Sequence, residues 1–133
     1  MTRSLVALAV ATTAMMVIVP CITWFGFGLA GNFPGRLERV DHVPALLVAL
    51  SANVFGPFVG GFLVARMAGR REILHAIVFG IVMLAGAALD TRSRWEYAPV
   101  WFHVAFLSVL VPSGLLGGLV AKVTRPAEPA KSR

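Results

Sequence analysis

Only a few side chains in this sequence are suited to chemistry in apolar surroundings. Asn53 is the one strongly polar group near the middle of a long charge-free stretch, Val43 to Ala65. His103 lies six residues into another such stretch, Tyr97 to Ala121, and Cys21 lies eight residues before the end of a third, Leu5 to Leu29. With His42 they could suggest a metal or haem site. Their spacing does not support one: there is no HxxxH and no CxxC. A packed cysteine and an interfacial histidine account for both residues, and His75 also reads as interfacial. No cofactor and no metal is therefore expected. Ser51, Ser108 and Ser113 have no neighbouring His-Asp arrangement, and no G-x-S-x-G occurs, so an enzyme is not expected either. Asn53 reads first as an interhelical hydrogen-bonding group, worth about 0.6–1.7 kcal/mol. Asn53 and His103 together are the candidates for a transport path.

The elements that must position these residues follow from composition. Of 133 residues, 58% are apolar and 14% are charged. Mean hydropathy is +0.82. A soluble domain carries roughly a quarter charged residues. The single cysteine excludes an intramolecular disulfide framework. A membrane span needs about 20 mostly apolar residues. Four stretches fit: 5–29, 43–65, 73–89 and 97–121, none containing Asp, Glu, Lys or Arg. The third has only 17 residues, and flanking Arg71, Arg92 and Arg94 would lengthen it by snorkelling. The first continues well beyond a signal-peptide core, so it is read as a retained span. The expectation is an all-α, integral membrane four-helix bundle of two hairpins over 1–123. A disordered tail is expected over 124–133, where Pro126 and Pro129 occur.

Charge orients the bundle. The amino end, the second connection and the tail carry eight Lys and Arg, and the other side carries four. The positive-inside rule places the eight, and both termini, in the cytoplasm. The net charge of +6 then lies on that face, and the high pI needs no nucleic acid. Trp24, Phe25, Phe27, Trp95, Tyr97 and Trp101 gather at the opposite boundary. A multi-pass protein of the bacterial cytoplasmic membrane follows, with the lipid bilayer as its first partner.

Helices in lipid associate through close packing, so stripes of small residues mark their contacts. Ala45, Ala49, Ala52, Asn53, Gly56 and Gly60 run down one face of the second span, and Gly61 pairs with Ala65. Gly114, Gly117, Gly118 and Ala121 share a face of the fourth. Ala7, Ala11, Ala14 and Cys21 keep a similar phase in the first, and Ala76, Gly80 and Ala87 in the third. Pro20, Pro57 and Pro112 fall inside spans and remove backbone donors. Ser51–Gly61 matches Ser108–Gly118 at an offset of 57, with Ser, Val, Gly and Gly recurring.

The cluster Gly60-Gly61-Phe62-Leu63-Val64-Ala65-Arg66-Met67-Ala68-Gly69-Arg70-Arg71, followed by Leu74-His75-Ala76 and Gly80, resembles a stretch in small uncharacterised bacterial membrane proteins with four spans. The resemblance covers the second and third spans and implies fold and membrane residence. Small multidrug exporters are similar in size and span number. Their first helix carries an embedded glutamate, where this chain has Ala14 and Met15. The leading expectation is a non-enzymatic membrane protein that packs against itself or a larger membrane protein. The alternative is a small transporter or channel with a path near Asn53 and the Pro57 and Pro112 breaks.

Overall fold

The computed structural model describes residues 2–29, 39–69 and 71–125. It contains four long helices: α1 (Thr2–Leu29), α2 (Val43–Ala68), α3 (Glu72–Ser93) and α4 (Val100–Val123). Each is long and apolar enough to cross a membrane. A single 3₁₀ turn, Trp95–Tyr97, precedes α4.

Helix ends follow local chemistry. Pro44 sits in the first turn of α2, where its missing N–H costs nothing. Gly69 ends α2 in the left-handed conformation (φ 71°), and Arg71 starts α3 from the same region (φ 54°). Only residues 69–71 separate α2 from α3.

The helix limits correct the sequence reading in two places. The third helix is not short: it runs 22 residues, or about 33 Å. Asp90 and Arg92 continue it, because Asp90 pairs with Arg94 one turn on (3.0 Å) and Ser93 Oγ donates to the Asp90 carbonyl (2.8 Å). The fourth helix starts at Val100 and not at Tyr97, because Pro99 caps it in the extended conformation. Thr124 and Arg125 also depart from the expected disordered tail. Arg125 Nη1 donates to the Gly69 carbonyl (2.7 Å) and pairs with Glu72, and Arg66 donates to the Thr124 carbonyl (3.2 Å). Residues 126–133 lie outside the described residues.

α2 is the hub. It packs against α1, α3 and α4, and α3 also packs against α4, whereas α1 and α3 scarcely approach each other. The small-residue stripes make these contacts. Ala7, Ala11, Ala45, Ala49, Ala52, Ala65, Ala76 and Ala121 are buried, with Phe79, Leu110 and Val64 as the large core side chains. Cys21 corrects the first stripe: it is exposed and lies off the packed face. All three prolines sit within continuous helices.

At one end lie the start of α1, the α2–α3 connection and the close of α4. His75 bridges that end, with Nδ1 on the Arg71 carbonyl and Nε2 on Ser4 Oγ, both at 3.0 Å. At the far end Val40 N–H donates to the Tyr97 carbonyl (2.9 Å), joining the two far connections.

Candidate functional site

At the far end all four helices surround a cavity of about 430 Å³. α1 contributes Val19, Pro20 and Thr23; α2 contributes Asn53; α3 contributes Asp90, Thr91 and Arg94. The connection and α4 add Tyr97, His103 and Phe106. The two residues singled out as a transport path, Asn53 and His103, thus line one space.

Asn53, His103 and the Asp90–Arg94 pair are each held by a local bond. Asn53 Nδ2 donates to the Ala49 carbonyl (2.8 Å), which leaves its amide oxygen for the cavity. The Asn53 nitrogen thus bonds within α2. Pro57 has no N–H, so the Asn53 carbonyl also lacks its intrahelical donor. His103 is buried and stacks on Trp95, with ring centroids 4.7 Å apart at 15°. Its Nε2 lies 3.1 Å from the Trp95 carbonyl. A carbonyl only accepts, so Nε2 is the donor in this bond. This bond folds the 3₁₀ turn back over α4. Thr91 is also buried, whereas Asp90 and Arg94 are exposed at the mouth.

A second space of about 570 Å³ continues from the first between α1 and α3. The two share Val19, Pro20, Asp90, Arg94 and Phe106. Its remaining wall is Met15, Met16, Met83, Gly86, Ala87 and Leu110. The site is therefore amphipathic, with polar groups at the far end and thioethers and methylenes below.

Under the first cavity the bundle closes. A Cβ on Gly61 would lie 2.8 Å from Gly114 Cα, and one on Gly117 would lie 2.8 Å from Phe62 N. Gly60 faces the Phe79 ring, Gly118 faces Ala76, and Gly56 faces Val19 and Met15. The closest α2–α4 approaches are Gly61 on Gly114 and Gly117 on Phe58, while a Cβ on Gly114 would meet the Pro57 carbonyl at 3.6 Å; Pro57 and Gly114 are matched positions of the 57-residue offset.

The other candidates fall elsewhere. Ser51 and Ser108 donate back to the Leu47 and Val104 carbonyls, and Ser113 is buried on α4. His42 caps α2 without a side-chain bond. Among the described residues no group of three His, Cys, Asp or Glu is placed to hold a metal ion. Sequence reasoning passed over Thr23, Thr91, Asp90, Arg94 and Tyr97 as parts of a site. The available signal was the Asp90–Arg94 spacing of four at the end of an apolar run.

No family model, no curated protein and no solved structure matches the chain.

Proposed function

We propose that the chain is a small non-enzymatic integral membrane protein of the bacterial cytoplasmic membrane, with both termini in the cytoplasm. In this reading it is an accessory subunit of a membrane assembly, joined to a second copy or a larger membrane protein through α1. The supporting observation is the lopsided use of that helix. α1 packs chiefly against α2, with α3 reaching it through Phe79 and the His75–Ser4 bond, and the share of its span that is buried is 11%, against 39% for α2. Its outward face carries Val6, Val10, Thr13 and Val17 at steps of four and three, all exposed. Apolar exposure alone asks for nothing but lipid. A hydroxyl at mid-span is different, because Ser and Thr hydrogen-bond across helices in the bilayer. The glycine stripes of α2 and α4 are already used inside the bundle, so they do not bear on this contact.

Photo-crosslinking in membranes tests it. A crosslinker at Val10 or Val17 is expected to give one discrete protein adduct, and one at Val104 or Leu116 on α4 to give lipid adducts only. Lipid adducts at all four positions would overturn the proposal.

The orientation has its own test. A reporter fused after Arg133, or inserted within Arg66–Glu72, is expected to read cytoplasmic, and one in Ala30–His42 to read external. The reverse pattern would overturn the charge-based assignment.

A second reading, a small transporter or channel, is supported by Asn53 and His103 lining one cavity. The tight α2–α4 crossing beneath it, with Pro57 buried against Gly114, weighs against a continuous passage.

A further inference from the structure

The space between α1 and α3 has the wrong shape for a packing defect. It is continuous with the far-end cavity, and each part falls within the roughly 300–1,000 Å³ typical of ligand pockets. It opens sideways between two helices, where Met16 is 72% exposed. Gly86 sits in its wall, and a Cβ there would meet nothing within 4 Å. Three methionines line it, and their flexible thioethers suit an occupant with many rotamers.

The mouth carries one charge of each sign. Arg94 Nε bonds Asp90 Oδ1 at 3.0 Å. Among the described residues this leaves the two terminal guanidinium nitrogens and Asp90 Oδ2 for another group. The pair lies in the last turns of the 22-residue α3, about 27 Å along the helix from Glu72. That is close to the thickness of a hydrocarbon core, so in a membrane the pair stands at headgroup depth. Asn53 and His103 line the adjoining cavity.

We infer that this cleft holds one phospholipid with a zwitterionic primary-ammonium headgroup, with the phosphate on Arg94, the ammonium on Asp90 and one acyl chain between the methionines. The inference rests on membrane residence and not on the α1 partner. Charge complementarity selects the headgroup. An anionic lipid with a neutral alcohol head satisfies Arg94 and leaves Asp90 opposed to the phosphate. A trimethylammonium head supplies the charge but no N–H for the Asp90 carboxylate to accept. Planar guanidinium suits phosphate oxygens, which are strong acceptors.

Native mass spectrometry of the full chain in a neutral detergent tests this, with phosphatidylethanolamine, phosphatidylcholine and phosphatidylglycerol added separately. One equivalent of phosphatidylethanolamine is expected, retained about tenfold better than the other two, which is the worth of one charge-assisted hydrogen bond. Asp90→Asn should remove the preference over phosphatidylcholine, and Arg94→Gln should weaken binding of all three. Gly86→Leu fills the cleft in open space, so it should abolish retention of every lipid at unchanged thermal stability. Equal retention of the three headgroups, a preference that survives Asp90→Asn, or retention unchanged by Gly86→Leu would each overturn the inference. Loss of membrane residence would instead appear in the reporter fusions, separately from any lipid result.

Discussion

Replacing Gly117 or Gly61 with alanine is expected to abolish the monodisperse detergent-extracted protein after mild heating, whereas Gly86→Ala leaves it as wild type. The three glycines differ only in what a methyl group would strike. At Gly61 the Cβ would lie 2.7 Å from the Gly114 carbonyl carbon, and at Gly117 it would lie 2.9 Å from that of Phe58. These are backbone atoms, which cannot rotate aside as a side chain would. The helices would have to separate, and α2 and α4 are the central pair of the bundle. Overpacking typically costs about 1–3 kcal/mol, occasionally more. The rigid obstacle puts these two sites at the upper end. Separation also loosens Gly60 on Phe79 and Gly118 on Ala76, so small dispersion losses accumulate at several layers. At Gly86 no atom lies within 4 Å and alanine is the better helix former. Wild-type survival of Gly117→Ala would mean that the crossing is looser than described.

How far this was legible in the sequence depends on the kind of feature. Small residues at steps of three and four in α2 and α4 identified the faces that meet, because in lipid only close backbone approach rewards such residues. Periodicity within one helix cannot say which two faces pair. The sparse contact of α1 with α3, and hence the cleft, was invisible for that reason. Asn53 and His103 were recognised separately, but their convergence depends on how α2 is set against α4. Cys21 followed the phase of Ala7 and Ala11 on paper yet lies outside the packed face. It comes immediately after Pro20, in the half of α1 where much of the helix surface is uncovered. The end of α3 was missed because a charge was taken as a helix boundary. Asp90 and Arg94 form an i,i+4 pair, which supports one more helical turn instead.

Gly60→Leu is expected to damage the protein more than Phe62→Leu, and Phe79→Ala is expected to rescue it in part. A Cβ on Gly60 would lie 2.7 Å from Cε1 of the Phe79 ring, and a leucine adds three more carbons in that direction. The ring has nowhere to retreat. It is fully buried and belongs to the cluster of Ala7, Ala11 and Val64, between α1 and α2. Phe62 is only partly buried, so its exchange for leucine removes some contact without forcing helices apart. Phe79→Ala alone leaves a cavity. In a soluble core such a change costs about 3–5 kcal/mol, part of which is lost transfer from water. Lipid is as apolar as the core, so only the packing part should remain here. The two changes have opposite volume errors at one contact. Touching residues show interaction energies of about 0.5–3 kcal/mol, and here the coupling should be favourable, because leucine at 60 enters the space the ring vacates. The measurement is the monodisperse fraction surviving a temperature ramp for each single variant and for the pair. The pair should outlast Gly60→Leu. A pair no better than the sum of its singles would mean that the leucine strains the helix backbone rather than the ring, and that Phe79 is not what sets the α2–α3 distance.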